Sequence, residues 1–281
     1  MISTKIKKLN SPLSLDILVC FCYNTPGKIR RLWRLYMLWG SYGLVHIITL
    51  LLSVAIIAGL YFILRKRSEK VKTIVLFILS FSGISAIIFN LVTWGSPIEY
   101  LPFHMCSISA MLLPFAVLTR NKVINNLLLL WCIGALIALV LNQGQAEYEI
   151  FSLTFLFYYF PHTLEVGIPI LMFALGLVKK EVKYIGSTVA LTLFLYTVVH
   201  LLNVLLNNYA EANNIVDWAG EVVKLNYMYS VDPTNPVLQI MYNLVPHPYW
   251  YMLVATPFIL LYLALVYLPE IIRAIKTKKA A

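Results

Sequence analysis

Seven residues, LPFHMCS (Leu101 to Ser107), place a histidine and a cysteine inside a run that otherwise reads as a membrane helix. A thiol becomes a nucleophile as its thiolate, and histidine is the usual base that makes it one. His104 is the nearer histidine in sequence. Two residues on a helix differ by about 200°, so His104 and Cys106 are expected to leave it on nearly opposite sides. The base for Cys106 is therefore expected from another helix. His162 in FPHTLEVG is the candidate, and Glu165, three residues on, shares its face. The expected constellation is Cys106 as nucleophile, His162 as base and Glu165 as the acid that orients the imidazole.

The elements that must carry these groups follow from composition. Of 281 residues, 60% are hydrophobic and 12% are charged, against about a quarter charged in soluble domains. Several uncharged apolar runs exceed about eighteen residues, the length that crosses a bilayer as a helix. The predicted fold is all-α and polytopic, with seven transmembrane helices over residues 45–64, 73–92, 99–118, 123–142, 151–178, 184–203 and 249–268. Three regions are expected: a basic N-terminal tail with a short interfacial segment (1–39), a membrane domain (40–268) with an outer cap at 207–248, and a basic cytoplasmic tail (269–281).

The net charge of +10 does not indicate nucleic acid, because the basic residues cluster at span ends, where they act as topology signals. Arg65 to Lys72, Arg120 and Lys122, Lys179 to Lys183 and the C-terminal lysines fall on one side, and most acidic residues on the other. By the positive-inside rule the C-terminus is cytoplasmic and the N-terminus is outside, in a cell membrane. The tail residues Lys5 to Arg34 run against that assignment. Cys20, Cys22, Cys106 and Cys132 form no CxxC pair and no zinc spacing, so no metal and no cofactor are expected.

Helix rise turns each basic cluster into a ruler. Measured from it at about 1.5 Å per residue, Cys106 and Glu165 lie about 21 Å up, His162 and His200 about 25 Å, Asn90 about 27 Å and His46 about 28 Å. In a hydrocarbon core of about 30 Å, these groups and Asn142 share the outer third. Polar and ionisable groups at membrane depth are costly and mark function, so one pocket open to the outer leaflet is expected. His46, Asn90, His104, Asn142, His200, Asn226, Tyr227 and Trp250 are the expected substrate contacts, Asn226 and Tyr227 from the cap and Trp250 just past it. Pro161 is expected to kink its helix beside His162. Trp39, Trp94 and Trp250 read as an interfacial aromatic belt, and Cys132, Ser107 and Ser109 as packing residues.

LPFHMCSISAMLLPFAVLT, FYYFPHTLEVGIPI, NYMY, the ending VPHPYWY and His46 in VHIITLL together resemble the YwaF-like integral membrane family, to which human transmembrane protein 164 is similar. The resemblance covers roughly residues 40–268. It implies a seven-helix fold shared with androgen-induced membrane hydrolases of fatty-acid esters. It also implies an acyltransferase that moves a fatty acyl chain onto a lyso-ether-phospholipid through a cysteine and a histidine, here Cys106 and His162. Asp232 and His247 depart from the family pattern at the presumed mouth.

The leading expectation is acyl transfer between membrane phospholipids and lysophospholipids through an acyl-cysteine. A lipid-ester hydrolase on the same site, or a lipid-binding or sensor protein without turnover, are the alternatives. A transporter fits less well, because such proteins carry midplane polar sites and internal repeats.

Overall fold

The computed structural model describes residues 38–40, 42–94, 98–141, 148–150, 152–217 and 220–280, without the side chains of 274 and 277–280. The basic segment 1–37 with Cys20 and Cys22, and the residues Asn142, Gln143 and Glu147, lie outside the described residues. Six helices follow in order: α1 (Leu44–Leu64), α2 (Glu69–Thr93), α3 (Met105–Thr119), α4 (Lys122–Leu141), α5 (Leu153–Ala174) and α6 (Tyr184–Ala212). The short helix α7 (Pro236–Leu244) lies in the cap, and α8 (Thr256–Val266) and α9 (Leu268–Ala280) close the chain. Two two-residue strands, β1 (Leu38–Trp39) and β2 (Tyr148–Glu149), pair antiparallel with Trp39 opposite Tyr148.

The described structure is helical, as expected. Four of its helices, α1, α2, α4 and α6, are long and apolar enough to cross a membrane by length and composition. α3 has 15 residues and Trp250–Val266 is likewise a shorter apolar stretch. The expected start of the third span at Glu99 is instead a series of turns, and the helix begins at Met105. The last expected span is broken. A 3-10 segment (Trp250–Ala255) leads into α8, and Tyr267 separates α8 from α9. Pro269 has no N–H to return to the preceding turn, which ends the α8 ladder there. α6 runs nine residues past its expected end at Asn203.

α1, α2, α3 and α5 share an aliphatic core that includes Leu64, Leu76, Leu113, Val117, Leu164 and Ile168. α4, α6, α8 and the cap share a second core with Trp131, Tyr196, Tyr227 and Leu263. The loops at the basic side are fastened by charge. Arg120 donates to Glu69 at 2.7 Å and to Thr73 at 3.1 Å. Glu181 receives Lys122 and Lys183, and these two bonds pull its carboxyl down to about 2. Lys72 and Lys180 donate to the carbonyls of Leu175 and Val266 at helix ends, where a cation meets the negative end of the dipole.

The extra length of α6 holds the cap. Asn203 and Asn207, one turn apart, present amides to the cap backbone. Asn203 donates to the Tyr227 carbonyl at 2.8 Å and accepts from its N–H at 3.0 Å. Asn207 does the same for Leu225 at 2.9 and 2.6 Å. This grip fixes a turn in which Met228 and Tyr229 both adopt positive φ, 52° and 54°, a conformation that costs non-glycine residues free energy unless neighbours impose it. Asn203→Ala is expected to destabilise the protein by roughly 1–3 kcal/mol, because it leaves the buried Tyr227 N–H unpaired and its carbonyl with only the long 3.4 Å bond from the Ser230 N–H. Limited proteolysis should show faster cutting within the cap while the helices stay protected. Uncut cap at wild-type rates would refute that role.

Candidate active site

The site is built on α5. Ser152 caps the helix by accepting from the Phe155 N–H at 3.1 Å. Thr154, Tyr158, His162 and Glu165 follow at helical spacing and share one face. A different face is locked to α1. The Tyr159 hydroxyl donates to the Thr49 carbonyl at 2.6 Å, and Ser53 bonds both Tyr159 and Thr163 at 2.9 and 2.8 Å. That ladder sets the rotation of α5 about its axis, so that His162 and Glu165 turn towards α2 and α3. The helix stays continuous through Pro161 and Pro169. Pro161 has no N–H for the Phe157 carbonyl, so the expected consequence is a freed acceptor on this face rather than a break.

His162 Nδ1 lies 2.6 Å from the Tyr158 carbonyl. A carbonyl only accepts, so Nδ1 carries the proton and Nε2 keeps its lone pair in the neutral ring. The ring also packs on Tyr158, with centroids 4.5 Å apart. Glu165 is 5% exposed and its Oε2 has no hydrogen-bond partner. Room for it is made by Gly83 on α2. A Cβ there would stand 3.3 Å from Glu165 Oε1 and 2.4 Å from the Ala110 Cβ of α3.

Cys106 is the second residue of α3. His104 is the N-cap, with extended backbone and no side-chain capping bond. It therefore stands before the helix, and the expected opposed geometry within one helix does not apply. The amides of the first turn have no partner within the helix. The Cys106 sulfur lies within electrostatic reach of the Glu165 carboxyl, beside the Ser107 hydroxyl and the amides of Ser107 and Cys106.

Cys106, Ser107, His162, Glu165 and Asn90 line one cavity of about 180 Å³. Tyr158, Phe157, Trp94, Tyr100 and Tyr148 supply its aromatic walls. Its helical lining comes from the second half of α2, the first half of α3 and α5 up to Glu165, away from the basic loops. At about 30 Å³ per water, the space suits a few waters or one ester-sized polar group. Ser107 is thus in the cavity wall, whereas Ser109 is buried in packing as expected.

The remaining expected contacts lie elsewhere. His46 is buried against Trp39 with ring centroids 5.0 Å apart, and both its nitrogens lack hydrogen bonds. His104 packs on Tyr227 and Tyr229 at 5.3 and 5.7 Å. Tyr227 donates its hydroxyl to the Ile98 carbonyl. His200 meets Ser230 at 3.1 Å beneath the cap. Asn226 accepts from the Val231 N–H at 2.9 Å and donates to the Asp232 carbonyl at 2.7 Å, shaping the cap turn. Trp250 is 58% exposed, and Asn142 is outside the described residues. The belt expectation fails for Trp39, which is fully buried, and Trp94 also stands in the cavity wall. Gly83, Trp94, Tyr100, Tyr148 and Tyr158 were not expected. Only Tyr158, one turn before His162, carried a sequence signal.

The TMEM164 family model matches residues 41–267 of the chain. No curated protein and no solved structure matches it.

Proposed function

Because the chain belongs to the TMEM164 family of membrane proteins, we propose that it is a lipid acyltransferase working through Cys106 and His162. The observation that carries this reading is the shared cavity: a free thiol, an imidazole with its Nδ1 proton committed to Tyr158, and an unpartnered carboxyl line one small space. Seven crossings with the N-terminus outside are part of the same proposal. The positions of the basic loops support it, and on this reading the cavity belongs to the outer leaflet.

His162 Nε2 takes the proton of the Cys106 thiol, and the sulfur attacks the carbonyl carbon of a phospholipid ester. The C–S bond forms as the ester C–O bond breaks, and the proton passes from Nε2 to the departing lysolipid oxygen. A lysophospholipid hydroxyl then attacks the thioester. It loses its proton to Nε2, and the proton returns to sulfur as the acyl group leaves. Glu165 steadies the charged imidazole, and the first-turn amides of Cys106 and Ser107, without partners in the helix, are the donors this scheme assigns to the oxyanion. The waters that the cavity can hold support a second reading, hydrolysis, in which water replaces the acceptor hydroxyl.

Site-resolved labelling with a lipophilic thiol probe tests the pair. Cys106 is expected to react faster than Cys132 by about tenfold or more, and His162→Ala is expected to erase the difference. Equal labelling in the wild type would favour a lipid-binding or sensing protein instead.

A further inference from the structure

A second cleft, of about 540 Å³, opens between α4, α5 and α8 on another face of α5 from the candidate active site. Its walls include Leu129, Leu136, Ile170, Ala174 and Val266, and Lys180 stands at one end. Leu136 and Ile170 are 45% and 40% exposed, so the walls are open to the side. The two polar groups in the wall are occupied. Cys132 donates to the Leu129 carbonyl at 3.1 Å, and Tyr262 donates to the same carbonyl at 2.8 Å. What the cleft offers an occupant is therefore carbon. It follows α5 from Val166 to Ala174, about 12 Å of helix, which suits a length of chain better than a headgroup.

Lys180 gives that chain a polarity. Its ammonium spends one N–H on the Val266 carbonyl at 2.9 Å. The Glu270 carboxylate is 3.6 Å away, beyond hydrogen-bond length. An ammonium has three N–H donors, so donors remain for an oxygen arriving at the cleft's end. Lys122, Lys179 and Lys183 flank it against Glu181 and Glu270, which leaves this edge positive.

We propose that the cleft binds one anionic phospholipid, with an acyl chain laid between α4, α5 and α8 and its phosphate oxygen on Lys180. The site is distinct from the cavity of Cys106 and rests on neither the reaction nor the orientation proposed above.

The test uses the full chain, purified and delipidated in detergent, then mixed with phosphatidylglycerol or phosphatidylcholine of equal chain length and read by native mass spectrometry. Wild type is expected to retain one phosphatidylglycerol with about fivefold preference, the size of one lysine's contribution near an anionic headgroup. Lys180→Gln should abolish the preference and Lys179→Gln, the same charge change outside the cleft, should keep it. Ala174→Trp, at an exposed wall position, should eliminate the bound lipid. Leu136→Trp supplies a second plug, and melting without lipid confirms that each variant is folded. Equal retention of both lipids, retention undiminished by either folded plug, the same loss from Lys179→Gln, or a lipid-free dimer in place of the adduct would each overturn the proposal.

Discussion

Under the proposed covalent scheme, Cys106→Ala is expected to lower acyl transfer by about 10³-fold or more, because it deletes the atom that would carry the acyl group. His162→Ala should cost about as much, since a thiol without its base enters the reaction mainly as the poor, protonated nucleophile. The informative result is the pair together. Residues that act as one unit are strongly non-additive, so the double variant should be no slower than the worse single one. Glu165→Gln should cost less, because the buried Glu165 supports the imidazole without touching the acyl group. An acylated wild-type protein that releases its label to hydroxylamine, absent in Cys106→Ala, would identify the thioester. Full transfer by Cys106→Ala would end the covalent scheme. Multiplying losses in the double variant would separate the two residues into independent roles.

Gly83→Ala is the second large effect, and it tests the construction of the cavity rather than its chemistry. The added methyl would sit 2.4 Å from the Ala110 Cβ and 3.3 Å from both the Ala110 Cα and Glu165 Oε1. Backbone cannot yield there as the end of a flexible side chain could, so α2 and α3 must separate. Such overpacking costs about 1–3 kcal/mol. The helix preference for alanine over glycine returns about 1 kcal/mol, leaving a net loss of roughly 0–2 kcal/mol. Activity should fall about 10²-fold as Glu165 is displaced, in line with the price of a small misplacement in an active site. Gly59→Ala is the control, because a Cβ at that position of α1 meets nothing within 4 Å. It should leave activity intact and raise stability slightly. Similar melting temperatures and activities for both variants would show that α2, α3 and α5 do not meet this tightly.

The helical class was legible because apolar runs of membrane length have few other uses. α1, α2, α4 and the start of α6 lie within a few residues of expectation for that reason. Helix rise is nearly constant, so counting along each helix sets relative levels. Asn90, Cys106, His162 and Glu165, placed at similar heights by counting from basic loops, do line one cavity. Counting gives height and not direction. His46 and His200 share that height yet face Trp39 and Ser230, since the azimuth of a helix is set by contacts such as the Ser53–Tyr159–Thr163 ladder between distant segments. The early start expected for α3 failed because Leu101–His104 are apolar enough to pass for helix while Pro102 and the extended His104 backbone make turns. The aromatic walls were illegible for a related reason. Trp94, Tyr100 and Tyr148 come from helix-end, turn and short-strand positions that depend on pairing across the fold.

The pairing of Leu38–Trp39 with Tyr148–Glu149 bears on where this protein can be cut. Tyr148 reaches the cavity wall from a strand only two residues long, far too short to hold itself. It is secured by the Trp39 ring, which rests against His46, Tyr148, Phe155 and Tyr158 at once. Leu38 and Trp39 are thus masonry of the chamber. A version trimmed to residues 41–267, the portion the family shares, would keep Cys106, His162 and Glu165 and lose the ring that braces Tyr148 and Tyr158.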